Sequence, residues 1–203
     1  MGMREHGYQG SFEQRAKILP PEKILSCFGL RSGQRLADLG AGQGYFALKA
    51  AEMLGETGLV KAVEIIPERL QILRRQAEER GVAARIQTIL AEAERIPLPD
   101  NDVDRALLAN VLHELQDPLS YVRDTLRILV NGGEIWVIEW QKKETLLGPP
   151  SSERRTPEEW VTLLAQAGFE NVWVQIFQPA HVLLRGTAIK PASIVQAQRR
   201  SIS

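Results

Sequence analysis

The sequence contains very little cysteine and histidine, which limits both cross-linking and metal binding. Cys27 is the only cysteine among 203 residues, so the chain cannot form an internal disulfide bond. The three histidines stand far apart and show no spacing typical of a metal site. A lone thiol suits a reducing compartment, and we therefore expect a cytoplasmic protein without a bound metal.

Net charge and long apolar runs are absent as well. Lys plus Arg and Asp plus Glu each number 25, so the formal net charge is zero. A neutral chain without a basic stripe has no electrostatic basis for binding nucleic acid, and we expect none. No apolar run is long enough to cross a bilayer and the first residues show no signal-peptide pattern, so we expect no membrane association.

What the chain does have is a glycine-rich turn between a predicted strand and a predicted helix. Arg35 to Leu39 is the predicted strand, and Tyr45 to Leu54 has apolar residues at helical spacing. Between them stand Gly40, Gly42 and Gly44. Glycine is required where the backbone takes positive φ or approaches a ligand closely. A strand, a glycine turn and a helix N-terminus together favour a ligand site at the carboxyl end of a sheet.

The glycines alone fit two kinds of nucleoside ligand. Gly40-x-Gly42-x-Gly44 is the pattern of S-adenosylmethionine sites, whereas Gly42-x-Gly44-x-x-Ala47 also fits a dinucleotide site. Asp38, at the end of the strand, favours the first, because a carboxylate there would repel a pyrophosphate. S-adenosylmethionine carries an ammonium and a sulfonium, and a nearby carboxylate attracts both.

A second carboxylate supports a nucleoside ligand. Glu64 stands twenty residues after Gly44, at the end of the next predicted strand, where an acid is placed to bond ribose hydroxyls. The alternative is a turn that merely lets the helix pack on the strand. The joint presence of two acids and three glycines favours the ligand site.

The C-terminal half predicts how the sheet ends. Asn131-Gly132-Gly133 is predicted to stop a helix, and Glu134 to Trp140 is predicted as the fifth strand. Two further strands, Asn171 to Phe177 and Ala180 to Ile189, follow without a helix between them. So short a connection joins antiparallel neighbours. A dehydrogenase half would more often continue with alternating strands and helices.

With these motifs in order, the chain resembles the class I S-adenosylmethionine-dependent methyltransferases, in particular the small-molecule enzymes of the ubiquinone/menaquinone-biosynthesis type. The resemblance covers Pro21 to Lys190. It implies an α/β fold, namely a Rossmann-like, mostly parallel seven-stranded sheet with an antiparallel C-terminal hairpin and helices on both faces. We expect a helical cap or lid over residues 1–30, the cofactor-binding domain over 31–190 and a flexible tail over 191–203.

The resemblance also assigns a site for S-adenosylmethionine. The glycines are expected to admit the methionine part and ribose, Asp38 to face the cationic end, and Glu64 to hold the ribose. An acid and the next backbone amide bind the adenine in the family, and an asparagine after the fourth strand lies near the methionine. The predicted cofactor-binding residues are Asp38, Gly40, Gly42, Gly44, Glu64, Glu92, Ala93 and Asn110.

The acceptor is expected to be a small organic molecule. Asn110 is followed by Val-Leu-His rather than by the paired prolines of enzymes that methylate nucleobases or glutamine amides. Arsenite methyltransferases use several cysteines, and this chain has only Cys27. His113, which titrates near neutral pH, is the candidate catalytic base. Two other functions stay open, a non-catalytic S-adenosylmethionine-binding module and a nicotinamide-dependent oxidoreductase, and the oligomeric state is not predicted.

Overall fold

Strands and helices alternate along most of the chain in a computed structural model that describes residues 12–92, 95–145, 148–178 and 180–190. The strands are β1 (Arg35–Leu39), β2 (Leu59–Glu64), β3 (Ile86–Leu90), β4 (Val103–Ala109), β5 (Leu129–Trp140), β6 (Phe169–Phe177) and β7 (His181–Ala188). The α-helices are α1 (Phe12–Ile18), α2 (Pro21–Phe28), α3 (Tyr45–Leu54), α4 (Pro67–Glu79), α5 (Pro118–Ile128) and α6 (Pro157–Ala167).

The strands form one sheet in the order β3-β2-β1-β4-β5-β7-β6. Strands β1 to β5 pair in parallel, and β7 pairs antiparallel with both β5 and β6. The predicted seven-stranded, mostly parallel sheet with an antiparallel C-terminal hairpin is confirmed. The hairpin forms because only three residues, at 178–180, separate β6 from β7, which is too short for a parallel crossover.

Buried side chains divide into two clusters, one on each face of the sheet. Helices α2, α3 and α4 contribute to the first cluster, whose largest member is Trp136 of β5. Helices α5 and α6 contribute to the second, in which Trp160 is 1% exposed. Strands buried on both faces need apolar residues at successive positions, as in the run from Ile135 to Ile138. The predicted placement of helices on both faces is confirmed.

The start of β5 differs from the prediction. The glycines at 132 and 133 do not end α5, which stops at Ile128, but lie inside β5. The pairing with β4 shifts between Val103, opposite Leu129, and Arg105, opposite Glu134. The glycines therefore lie in a bulge of β5. Gly132 has a φ of 78°, and a Cβ on Gly133 would lie 2.9 Å from the carbonyl oxygen of Val130. The glycines are therefore required by the bulge.

The topology brings one end of several strands to a common edge. The carboxyl ends of β1, β2, β4 and β5 meet there because these strands are parallel. Strand β7 runs the other way, so its first residue, His181, pairs with Trp140 at the end of β5. Helix α1 packs beside this edge, where Phe12 contacts Tyr45 at 5.1 Å between ring centroids. The predicted C-terminal tail, residues 191–203, lies outside the described residues.

Candidate functional site

The three glycines of the turn after β1 have different surroundings, although all have positive φ, at 78°, 56° and 92°. A Cβ on Gly40 would lie 2.5 Å from Cγ2 of Val111, and one on Gly44 would lie 2.2 Å from Cδ1 of Leu73. A Cβ on Gly42 would meet nothing within 4 Å. A side chain at position 40 or 44 would thus have to displace Val111 or Leu73, whereas Gly42 borders open space.

Glu64, the last residue of β2, braces this turn. Its Oε2 accepts a hydrogen bond of 2.8 Å from the Gly42 backbone N–H. Its Oε1 accepts from the N–H groups of Ile65 at 2.8 Å and Ile66 at 3.1 Å. The Arg69 guanidinium stands 3.8 Å from Oε2. The structure thus brings Glu64 to the glycine turn, and its expected contact with ribose stays a prediction.

Asp38 lies beneath the turn with one oxygen unsatisfied. The residue is 2% exposed, and Oδ2 has no hydrogen-bond partner within the described part of the chain. The pKa of this carboxyl is raised to about 7, mainly by burial and in part by the charge of Glu64. The Arg15 charge and the Ala47 backbone N–H act in the opposite direction. A buried acceptor of this kind requires a hydrogen-bond donor, and a cationic donor would favour its charged form.

Asn110 presents a second unsatisfied acceptor at the same edge. It follows β4 with a φ of 59°, a left-handed conformation that asparagine tolerates better than most residues. Its backbone N–H donates to the Ile138 carbonyl at 2.8 Å. The Oδ1 atom is buried and lacks a hydrogen-bond partner among the residues described. An α-ammonium group with three N–H donors fits such acceptors, and a pyrophosphate does not.

The predicted adenine-binding residues are only partly described. Glu92 is exposed and follows β3 at the same edge of the sheet. It lines a surface cavity of about 710 Å³ together with Leu90 and Ile96. Ala93 lies outside the described residues. The structure therefore separates Glu92 from Asp38 by the width of β2 and leaves its contact with adenine a prediction.

His113, the candidate base, is held by an acid that the sequence patterns did not single out. Its side chain is 2% exposed, and Nδ1 lies 2.9 Å from Oε2 of Glu139. Burial acts to lower the pKa of the imidazole, but the Glu139 charge and hydrogen bond outweigh it, and the pKa is raised above 6.5. A carboxylate at the end of an otherwise apolar strand was the available signal for Glu139.

A second imidazole stands on the opposite side of the same edge. His181 is fully buried, and within the described ranges neither ring nitrogen has a hydrogen-bond partner. Its ring centroid lies 4.0 Å from that of Trp140. Burial, together with the charges of Arg15, Arg154 and His113, lowers the pKa of His181 to about 3. The imidazole is therefore neutral near pH 7, with both ring nitrogens unused by the described residues.

Comparison with known proteins agrees with this geometry. Residues 37–137 match the family described as "Methyltransferase domain". A SAM-dependent methyltransferase from Aquifex aeolicus superimposes with a TM-score of 0.81 and 29% identity, covering 87% of this chain and 93% of that one. By sequence and by fold, this chain is similar to the S-adenosylmethionine-dependent methyltransferases. The family's cofactor is S-adenosylmethionine, in agreement with the acceptors at Asp38 and Asn110.

Curated methyltransferases give a similar result over a shorter length. The "Ubiquinone/menaquinone biosynthesis C-methyltransferase UbiE" of Serratia proteamaculans is 35% identical over 127 residues, which are 63% of this chain and 50% of the relative. The chain thus spans about half the length of the curated relatives it matches. The [4+2]-cyclase SpnF superimposes with a TM-score of 0.72 at 22% identity, which shows a shared fold alone.

These similarities bear on the alternatives. Nothing in them favours the nicotinamide-dependent oxidoreductase or the non-catalytic binding module. Within the described residues, no helix is long and apolar enough to cross a membrane. The same residues contain no group of three or more His, Cys, Asp or Glu side chains that could hold a metal ion.

Proposed function

We propose that this protein transfers the methyl group of S-adenosylmethionine to a small-molecule acceptor. The observation that carries the proposal is the pair of buried, unsatisfied acceptors, Asp38 Oδ2 and Asn110 Oδ1, beside the open space at Gly42. A ligand whose amino-acid end carries an ammonium satisfies both acceptors. The bound cofactor supplies the electrophilic methyl group, and the protein mainly positions the reactants.

Each residue of the candidate site has a proposed role that follows from its chemistry. Asp38 and Asn110 bind the amino-acid end, Gly42 allows close approach of the ligand to the backbone, and Glu64 holds the ribose. Glu64 reaches the ribose by exchanging its bond to Gly42 N–H or by accepting a further donor on the same oxygen. Glu92 and Ala93 stay the predicted adenine contacts, and His113 is the proposed base.

The acceptor is proposed to lie beyond β4, against His113, His181 and Trp140. The residues matched to the family end at position 137, just before Glu139 and Trp140. The match includes His113 but leaves out Glu139, Trp140 and His181, so the relatives' acceptors do not transfer automatically to this chain. Because the curated relatives are named for ubiquinone/menaquinone biosynthesis, intermediates of those syntheses are the first acceptors to test.

A screen with methyl-labelled S-adenosylmethionine tests the proposal. The panel contains quinone-biosynthesis intermediates, other phenols, amines and carboxylic acids. It also contains tRNA and duplex DNA, which test for a polymeric acceptor. We expect the label in a low-mass product that is one methylene group heavier than its acceptor. Label in a polymer would contradict the small-molecule acceptor. Cofactor binding without turnover across the panel would favour the non-catalytic binding module.

Two expectations from the sequence stay proposals. A neutral net charge supports the absence of nucleic-acid binding, and weak retention on heparin would agree with it. The single cysteine, Cys27, supports a reducing compartment, and its thiol is exposed.

A further inference from the structure

Glu139 is a fully buried carboxylate that faces four donor groups from three residues in two segments of the chain. Its Oε1 accepts from the backbone N–H groups of Leu112 at 2.8 Å and His113 at 3.4 Å. Its Oε2 accepts from the Trp140 N–H at 3.1 Å and lies 2.9 Å from Nδ1 of His113. Burying a charge is costly unless it is hydrogen-bonded in this way. Glu139 therefore ties the end of β5 to the turn that follows β4.

This arrangement decides which nitrogen of His113 carries the proton. Because Oε2 of Glu139 acts as an acceptor, the proton shared with the ring sits on Nδ1. The neutral ring then has its lone pair on Nε2. Nε2 is buried and lacks a hydrogen-bond partner among the residues described, and Oε1 of Glu114 stands 3.8 Å away. A basic nitrogen is thus held in place without being used by the fold.

We propose that Glu139 is a positioning residue that fixes the His113 ring with Nε2 directed toward the methyl acceptor. The proposal rests on the function proposed above. The nucleophilic atom of the acceptor forms a bond to the methyl carbon while the carbon–sulfur bond breaks, and its electron pair stays on sulfur. The acceptor's proton passes to Nε2, and the Nδ1–H bond to Glu139 stabilises the imidazolium that results.

Charged and titratable groups from several elements face His113. Glu139 belongs to β5, Glu114 to the turn after β4, Glu153 to a short 3₁₀ turn at Ser151–Glu153, and His181 to β7. Burial alone would lower the pKa of His113, and Glu139 is the first contributor to its net rise. Removing the Glu139 charge is therefore expected to lower the pKa of His113.

Nitrogen-15 and proton NMR of the imidazoles tests the positioning without any acceptor. In the wild-type protein we expect the Nδ1–H tautomer of His113 and a titration midpoint above 6.5. Glu139→Gln should lower that midpoint and change the tautomer. Glu134→Gln is the matched control, because Glu134 is an acid of the same strand that pairs with Arg105 at 3.3 Å, away from His113. It should leave His113 unchanged.

Two results would overturn the proposal. One is a wild-type His113 that carries its proton on Nε2, which requires no variant and so does not depend on how Glu139→Gln folds. The other is a folded Glu139→Gln protein in which His113 titrates as in the wild type.

Kinetics with an acceptor found by the screen tests the consequence for the reaction. His113→Asn should lower kcat by roughly 100-fold or more while leaving S-adenosylhomocysteine affinity nearly unchanged. Glu139→Gln should lower kcat and move the low-pH limb of the rate profile to lower pH, because the pKa of the base falls. A limb that stays in place would contradict the positioning role. A wild-type protein with the Nδ1–H tautomer that methylates nothing would contradict the proposed function and leave the positioning intact.

Discussion

Asp38 shows, at the scale of one residue, how a binding group is held at a cost to stability. Its carboxyl is 2% exposed, and burial raises its pKa from 3.8 to about 7. The folded protein thus binds a proton more tightly than the unfolded chain. Stability contributed by this group is present below pH 3.8 and is lost as pH rises toward 7, by about 4 kcal/mol at most. A cation beside the carboxylate offsets that cost.

This predicts that ligand binding releases protons. An ammonium placed against Asp38 lowers the pKa of the carboxyl, so S-adenosylhomocysteine binding near pH 7 should release a fraction of a proton to the buffer. Calorimetry in two buffers with different ionisation enthalpies measures that fraction. Asp38→Asn should abolish the release, weaken binding and raise thermal stability at pH 8. Equal binding enthalpies in both buffers for the wild type would contradict the role given to Asp38.

Glu64 gives a second prediction at this scale. Glu64→Ala should weaken S-adenosylhomocysteine binding by about 1.5–3 kcal/mol, the value of hydrogen bonds to a charged group. It should also lower the melting temperature, because the Gly42, Ile65 and Ile66 N–H groups lose their acceptor. Glu64→Gln keeps one acceptor oxygen for these N–H groups but loses the other oxygen and the charge, so it should destabilise the protein less than Glu64→Ala. Unchanged affinity in a folded Glu64→Ala protein would make the residue purely structural.

Single residues were predictable from the sequence only where a local motif carried them. Asp38 and the turn glycines stand in one short segment, so their common place needed no knowledge of the sheet. Glu139 and His181 reach the edge of the candidate site because β5 pairs with β4 on one side and with β7 on the other. Such pairing joins distant parts of the chain, and no local pattern in the sequence predicts it.

At the scale of the element, the glycines of the turn after β1 have two roles: Gly40 and Gly44 allow close packing, and Gly42 leaves space for a ligand. Gly42→Ala places a Cβ in open space at a φ of 56°, and Gly81→Ala does the same at 67°, just past the end of α4. Both should cost about 1–2 kcal/mol of stability, the penalty of a left-handed conformation. Only Gly42→Ala should also weaken S-adenosylhomocysteine binding in a titration. Equal affinity of the two variants would show that Gly42 does not border the ligand.

Gly44→Ala is expected to behave differently from both. Its Cβ would collide with Leu73 of α4 at 2.2 Å, so the destabilisation should exceed that of Gly81→Ala. A thermal melt of the three variants ranks them directly. The sequence predicted that this turn needs glycines but not which of them are closely packed. That depends on Val111 beside Gly40 and on Leu73 of α4 beside Gly44, which are distant in sequence.

The glycines of β5 show the same limit for element boundaries. Asn131-Gly132-Gly133 looks like a helix stop in sequence, yet α5 has already ended at Ile128 and the glycines shape a bulge against β4. A helix end and a strand bulge both favour glycine, because both can require a positive φ. Only the register with Val103 and Arg105 distinguishes them.

At the scale of the whole molecule, the order of the strands gathers the site. Parallel β1, β2, β4 and β5 end at one edge, and the reversed β7 begins there, which places His181 beside Trp140. The alternation of strands and helices and the short final connection predicted the antiparallel end of this sheet, and the family resemblance implied its seven-stranded, mostly parallel form. The proposed division of the edge into a cofactor side near Asp38 and an acceptor side near His113 rests on tertiary contacts, which no local sequence pattern shows.

In the proposed function, the edge around Asp38 and Gly42 binds S-adenosylmethionine rather than a dinucleotide. Titration calorimetry of the wild-type protein with S-adenosylhomocysteine, and separately with NADH, distinguishes these ligands, with Gly42→Ala and Gly81→Ala as paired variants. We predict saturable one-to-one binding of S-adenosylhomocysteine that Gly42→Ala weakens and Gly81→Ala retains, and no heat of binding with NADH. Saturable binding of NADH together with no binding of S-adenosylhomocysteine would contradict the claim.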